Sequence, residues 1–170
     1  MRETQGVRIN SESSSDGIPL YLEKMGSLGD TIAHLDGDAI NVFGGIVGEE
    51  VQAKVYRYRR RKKRYISALV TNVLKSSPHR ISAPCTYFGP CSGCQWQHIE
   101  YSHQLKLKRD AVVREMQKYP ELTGVPVKAT LPGPEQFGYR NHARFTVRQQ
   151  GSLGFNNRIT RQFVKLEECL

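Results

Sequence analysis

Apolar and polar residues alternate in short runs along the first half of the chain, and glycines separate the runs. The residues from Val51 to Val55, for example, change between apolar and polar at each step. A period of two is typical of strands that bury one face. The pattern predicts five strands, at 18–22, 31–35, 38–43, 51–56 and 66–74. Five strands joined by tight turns, with no long helix among them, predict a small five-stranded barrel of the oligonucleotide-binding (OB) kind over 18–76.

The second half of the chain contains one segment with helical spacing. Apolar residues recur on one face from Tyr101 to Tyr119, and Pro120 ends the segment. We expect that face to pack against a core; it comprises Tyr101, Leu105, Val112, Met116 and Tyr119. Later strands are predicted at 143–149, 153–156 and 162–166. The predicted fold is therefore mainly β, then α+β, with residues 77–170 forming the α+β unit.

Composition predicts a disordered N-terminal tail and a class of binding partner. Residues 1–17 are polar and serine-rich, which predicts a disordered tail. The chain has 170 residues with 25 Lys and Arg against 16 acidic residues, a net charge of +9. Such an excess favours a polyanionic partner, most often nucleic acid. No apolar run has the length of a membrane span or a secretory signal, so we expect a cytoplasmic monomer with no membrane partner.

The positive charge is concentrated between the last two predicted strands. Seven of the eight residues at 57–64 are Lys or Arg, and tyrosines flank or interrupt the run. Cations beside aromatic rings are typical of proteins that hold single-stranded RNA. The alternative is a solvated hairpin tip without a partner. The predicted RNA contacts are Tyr56, Arg57, Tyr58, Arg59, Arg60, Arg61, Lys62, Lys63 and Arg64.

Three of the four cysteines lie in one glycine- and proline-containing loop. Cys85, Cys91 and Cys94 have the spacing C-x5-C-x2-C, and Cys169 is remote from them. In a cytosolic protein this clustering favours a metal site over disulfides or scattered buried thiols. Four thiolates suit an iron–sulfur cluster or zinc, and spacing alone leaves both open.

Several short motifs occur in one order along the chain. They are Gly26-x-x-Gly29, Asp36-Gly37, Gly48-Glu49-x-Val51, Ser77-Pro78-x-Arg80, the segment 85–98 with Tyr101 and Gln104-Leu105-x-x-Lys108 after it, Tyr139-Arg140-Asn141, and Gly154-Phe155. In this order they resemble the S-adenosylmethionine-dependent RNA (uracil-5-)-methyltransferases that carry an N-terminal TRAM domain. The resemblance covers roughly residues 18–170.

The resemblance implies that Cys85, Cys91, Cys94 and Cys169 hold a 4Fe-4S cluster, with zinc as the alternative, and that the TRAM barrel binds RNA. Family members with this cysteine set modify large-subunit ribosomal RNA, so ribosomal RNA is the expected partner. Further RNA contacts are expected near the cluster, from His98, Arg140 and Asn141. The sequence leaves an alternative open for each of them. His98 would instead pack beneath the cluster, and Arg140 and Asn141 would instead form a turn.

In this family the catalytic domain follows the fourth cluster cysteine. We therefore expect the methyltransferase domain to be absent from these residues, along with its glycine-rich cofactor turn and its catalytic cysteine. The expected function is RNA binding without catalysis, with S-adenosylmethionine used only in a full-length enzyme. A stand-alone RNA-binding module with a structural metal is the alternative, and an unrelated zinc-dependent binding protein is a third.

Overall fold

The computed structural model describes residues 9–10, 17–60 and 63–170. These residues are mainly β with one α-helix. The elements are β1 (Ile9–Asn10), β2 (Ile18–Tyr21), β3 (Lys24–Met25), β4 (Thr31–Leu35), β5 (Asp38–Phe43), β6 (Glu50–Arg60), β7 (Lys63–Lys75), α1 (Tyr101–Met116), β8 (Thr146–Val147), β9 (Leu153–Asn156) and β10 (Phe163–Lys165). Most of the predicted disordered tail lies outside the described residues, but its residues 9–10 form β1, which pairs with β6.

Strands β1 to β7 form one curled sheet with the order β1-β6-β7-β5-β4-β3. The consecutive short strands β2 and β3 pair with β6 and β4 respectively, so this segment bridges the two sides of the sheet. Strands β5 and β7 run parallel, whereas the other pairs are antiparallel. The predicted mainly β, OB-like fold is confirmed. All five predicted strands are present, and the two-residue strands β1 and β3 are additional to them.

Alternate residues of these strands fill the barrel. The Asp36-Gly37 turn joins β4 to β5 with positive φ at both residues, 52° and 86°, as a primed hairpin turn requires. Gly45 follows β5 where a Cβ would overlap the side chain of Leu22. The buried core consists of Leu20, Leu22, Ala33, Ile40, Val42, Val51, Ala53, Val55 and Ala68.

A second, smaller core joins the barrel to α1. Ile46 from the barrel packs with Ile99 and Leu107, and Met25 and Trp96 cover the group. This cluster places the cysteine loop, which runs between β7 and α1, against one end of the barrel. No helix among the described residues combines the length and the apolar character that crossing a membrane requires.

The predicted packing of α1 is confirmed only in part. The helix ends at Met116 rather than at Tyr119, and a 3-10 turn begins at Pro120. Leu107 is its buried residue, whereas Val112 and Tyr119 are 49% and 54% exposed. Tyr101, Leu105 and Met116 of the predicted face are half-buried, so the described residues cover that face only in part.

The C-terminal strands form a separate three-stranded sheet in the order β10-β9-β8. The strand predicted at 153–156 has those bounds, whereas the strands predicted at 143–149 and 162–166 are limited to Thr146–Val147 and Phe163–Lys165. Positive φ values at Gln150 and Gly151 turn the chain between β8 and β9. The sheet is therefore smaller than the sequence pattern indicated.

Candidate nucleic-acid interface and cysteine cluster

The basic run occupies the far end of the β6–β7 hairpin. The two strands pair in antiparallel register as far as Arg60 opposite Lys63. Lys63 and Arg64 are exposed, and Arg57 is half-buried. The backbones of Arg59 and Arg60 lie in β6, and Arg61 and Lys62 lie outside the described residues. The hairpin therefore carries its cations on a ribbon that extends beyond the barrel core.

Two tyrosines stack across this hairpin. Tyr58 lies directly opposite Tyr65, and their ring centroids are 5.5 Å apart with an interplanar angle of 12°. The hydroxyl groups of Tyr58 and Ser67 are 3.4 Å apart, and Tyr65 is 40% exposed. A flat aromatic surface beside lysine and arginine can stack an unpaired base while the cations contact phosphates.

The structure changes the set of aromatic contacts predicted here. Tyr56 is only 8% exposed, and Lys54 Nζ lies 5.9 Å from the centroid of its ring, so little of that ring is available at the surface. Tyr56 lies on the face of β6 opposite to the core residue Val55, so its burial comes from cover on that second face. Tyr65 was not among the predicted contacts, although its cross-strand register with Tyr58 would have indicated it.

The four cysteines are free thiols of differing exposure: Cys85 and Cys91 are half-buried, and Cys94 and Cys169 are exposed. Burial raises the pKa of the Cys91 thiol, and the charges of Cys94, Cys85 and Cys169 raise it further. Across residues 9–10, 17–60 and 63–170, no three His, Cys, Asp or Glu side chains stand close enough together to hold a metal ion.

Hydrogen bonds hold the C-terminal segment against the cysteine loop. The Ser92 hydroxyl donates to the Asn156 carbonyl at 2.6 Å, and the Asn157 amide donates to the Pro90 carbonyl at 3.0 Å. The backbone N–H of Glu167 donates to the Tyr87 hydroxyl at 3.2 Å. Because Glu167 is two residues before Cys169, these contacts hold the segment that carries the fourth cysteine beside the cysteine loop.

A buried ion pair joins the loop to the barrel. The side chain of Glu49 is 0% exposed and accepts from Arg80 Nε at 2.6 Å and Nη2 at 2.7 Å. It also accepts from the backbone N–H groups of Ile46 and Ser77. Burial acts to raise the pKa of Glu49, but the hydrogen bonds from Arg80, Ser77 and Ile46 outweigh it and hold that pKa below 4.5. The pair was not predicted as a functional feature, although both residues belong to recognised motifs.

His98 lies beside this ion pair and is 3% exposed. Its Nε2 is 3.3 Å from the Gly45 carbonyl, and its ring centroid is 5.2 Å from that of Phe88. Burial, assisted by the charge of Arg80, lowers its pKa to about 4, so the ring is neutral near pH 7. Packing, the alternative to the predicted RNA contact, is the role that this position supports.

Arg140 and Asn141 are exposed and lie in a segment without regular secondary structure. The Arg140 guanidinium is 5.8 Å from the centroid of the Tyr139 ring. Its charge also acts on the thiol of Cys169, which places it on the cysteine side of the molecule. Their predicted RNA contacts stay predictions.

No protein-family model matches the chain. A protein of Aquifex aeolicus named only as an RNA methyltransferase is 37% identical over 90% of the chain. The 23S rRNA (uracil(1939)-C(5))-methyltransferases RlmD of Pseudomonas putida and Pseudomonas aeruginosa are 33% and 35% identical over 88% and 99% of it. The chain spans 35%, 33% and 40% of the lengths of these three relatives. Over the residues it spans, the chain belongs to the family of these RNA methyltransferases and matches its N-terminal part.

Proposed function

We propose that this chain is the RNA-binding part of an RNA uracil-C5 methyltransferase that acts on ribosomal RNA in the cytoplasm, and that it does not transfer methyl groups by itself. The observation that carries the proposal is the β6–β7 hairpin, where exposed Lys63 and Arg64 lie beside the stacked Tyr58 and Tyr65. The class of RNA comes from the printed names of the Pseudomonas relatives, which specify uracil C5 of 23S rRNA.

The hairpin would supply two kinds of contact. Lysine and arginine side chains neutralise phosphates, which gives affinity without base selection. The Tyr58–Tyr65 pair offers a ring surface to an unpaired base. An enzyme that modifies a base must take it out of the stack, and a separate grip on the flanking RNA holds the strand while this happens.

We further propose that Cys85, Cys91, Cys94 and Cys169 hold a 4Fe-4S cluster, with zinc as the alternative. Four thiolates suit iron–sulfur ligation, and the charges of the other three thiols all act on Cys91. Gly93 lets the loop pass close to β9, since a Cβ there would lie 3.1 Å from the Phe155 ring. When bound, the cluster would cross-link the C-terminal segment to the loop through its iron–thiolate bonds.

Replacing Lys63 and Arg64 together with glutamine tests the RNA interface. Each lost phosphate contact removes about 0.7–0.9 from the slope of log affinity against log salt, so we expect the slope to flatten by about 1.5. The measurement is binding of a 23S rRNA fragment at a series of salt concentrations. The matched control is Lys106→Gln with Lys108→Gln, which removes two exposed charges from α1. An unchanged slope in the hairpin variant would remove the hairpin from the interface.

Replacing Cys91 with serine tests the cluster. We expect the visible absorption and bound iron of the anaerobically purified protein to be lost, and its melting temperature to fall, because ligand binding and folding are coupled. Thr86→Ala, at an exposed position of the same loop, is the control. Zinc without iron in the wild-type protein would establish the alternative, and unchanged metal content in Cys91→Ser would refute the ligand assignment.

A further inference from the structure

A cleft lies between the barrel, the cysteine loop and the turn after β9. Its volume is about 50 Å³ and it is open to solvent, so a ligand there would be only partly enclosed. Phe43, Gly44 and Leu69 line its barrel side, and Phe88, Gly89 and Arg158 line the opposite side. Cys91 and Cys94 border the cleft, but Cys85 and Cys169 are not part of its lining. The cleft therefore adjoins the cysteine loop on the side of Cys91 and Cys94.

Arg158 carries a positive charge that its neighbours do not balance. Its guanidinium lies 5.4 Å from the centroid of the Phe43 ring. Within the described part of the chain, it makes no hydrogen bond and no ion pair, and no Asp or Glu lines the cleft. A cation held on an aromatic face keeps its N–H donors available, so this position favours an anionic ligand.

The rest of the lining favours a flat ligand. Phe43 and Phe88 are half-buried, and each therefore leaves part of its ring accessible. A Cβ on Gly89 would meet no atom within 4 Å, so the backbone leaves open space there. Aromatic rings with one guanidinium are the groups that proteins use to stack unpaired bases and to contact their phosphates. A site for a phosphate alone would not require aromatic rings, so the lining favours a base with its phosphate.

The cleft and the proposed RNA interface share one strand, β7. Leu69 lies on β7, the strand that leads from Lys63 at the basic end of the hairpin. At about 3.3 Å per residue, the two positions are roughly 20 Å apart along the strand. One extended strand of RNA can therefore span the hairpin and the cleft.

We propose that this cleft binds one unpaired RNA base, stacked against the Phe43–Arg158 pair, with an adjacent phosphate on the guanidinium. The proposal rests on the RNA-binding function proposed above and deepens it. The hairpin grips the backbone of the RNA, whereas the cleft holds a single nucleotide out of its stack beside the cysteine loop.

The test uses the full chain and an oligouridylate that carries one 2-aminopurine ribonucleotide, whose fluorescence falls when it stacks. We expect quenching with the wild-type protein. Arg158→Ala should bind the probe about tenfold more weakly and without quenching, since a stacked base contributes about 1–3 kcal/mol. Arg158→Lys, which keeps the charge but not the planar group, should recover part of the affinity and not the quenching. Phe43→Leu should also lose the quenching.

Arg144→Ala is the matched control, because it removes an exposed arginine of the same region that does not line the cleft. It should bind and quench like the wild type, and a loss equal to that of Arg158→Ala would overturn the assignment of the cleft. If the hairpin variant binds more weakly while Arg158→Ala and Phe43→Leu match the wild type, the cleft proposal fails and the proposed function stands. If the wild-type protein binds no RNA, both fail.

Discussion

The barrel and the region after α1 differ in how well their apolar residues are covered. Val42, Val51 and Ala53 of the barrel are all 0% exposed. In the C-terminal region, by contrast, Leu131 and Val147 are 88% and 64% exposed. Within residues 123–170, the buried positions are Gly154 and Ile159. The two regions therefore depend on different interactions.

The barrel depends on burial and on strand pairing. The C-terminal sheet has strands of two to four residues and little core, and such a sheet is marginal by itself. Its described links to the cysteine loop are individual hydrogen bonds, such as that from Ser92 to Asn156. We infer that the barrel supplies most of the stability. The C-terminal region is then ordered mainly by its contacts with the cysteine loop, which is itself packed against the barrel.

Arg80→Ala should have the largest effect, because it breaks the buried Arg80–Glu49 ion pair, the joint between the barrel and the cysteine loop. The substitution leaves the carboxylate of Glu49 buried without its cation, which costs about 3–5 kcal/mol in comparable pairs. Urea unfolding followed by circular dichroism measures the loss. The control is Lys75→Ala, whose exposed ion pair with Glu50 should contribute less than about 1 kcal/mol. Equal losses of unfolding free energy in the two variants would mean that the Arg80–Glu49 pair contributes no more than an exposed ion pair.

A second prediction concerns pH and the same joint. The pKa of His98 is lowered from 6.5 to about 4, mainly by burial and then by the charge of Arg80. Between these values the unfolded chain binds a proton that the folded protein excludes, so stability is full above pH 6.5 and falls as the pH approaches 4. The difference corresponds to about 3 kcal/mol. Glu49, whose pKa is also lowered, adds a loss in the same direction below pH 4.5.

Melting temperatures of the wild type and His98→Gln between pH 7 and 4.5 measure this dependence. The variant should show a flatter profile, since glutamine does not titrate. His103 must be separated from His98, because burial and the charges of His79 and Lys106 lower its pKa as well. His103→Gln is therefore the control, and it should keep most of the wild-type slope. A profile unchanged by His98→Gln would show that this ring is not the titrating group.

The parts predictable from the sequence were those fixed by neighbours in the chain. Alternation located the five main barrel strands, and the Asp36-Gly37 pair located the tight turn between β4 and β5. The ribbon of cations was visible for the same reason, since composition alone marks it. Cys85, Cys91 and Cys94 were likewise marked by their spacing.

The features that the sequence did not predict depend on contacts between distant residues. Arg80 and Glu49 are 31 positions apart, and no local pattern indicates that they pair. The burial of Tyr56 depends on what covers the face of β6 opposite to the core. The Phe43–Arg158 contact needs the barrel and the C-terminal region to be side by side. Periodicity shows which residues share one face of a helix or strand. It does not show which other element, if any, packs against that face.

Helix α1 shows this limit and gives the smallest predicted effect. Leu107 is 9% exposed and packs with Ile46 and Ile99, so Leu107→Ala should cost about 2–3 kcal/mol. Val112 belongs to the apolar face that the sequence predicted to be buried, but it is 49% exposed. Val112→Ala should therefore change stability by no more than about 0.5 kcal/mol, because an exposed substitution leaves no cavity.

Urea unfolding of the two variants, each compared with the wild type, decides between the helical pattern and the observed packing. Both substitutions put alanine, a strong helix former, into the same helix, so differences in helix propensity are small beside the expected gap. A loss of about 2 kcal/mol in Val112→Ala would show that a further part of the molecule covers this face. A near-zero change in unfolding free energy would place the boundary between the well-packed and the sparsely packed region within α1. Its first half packs in the small core beside the barrel, and its second half is sparsely covered, like the C-terminal region.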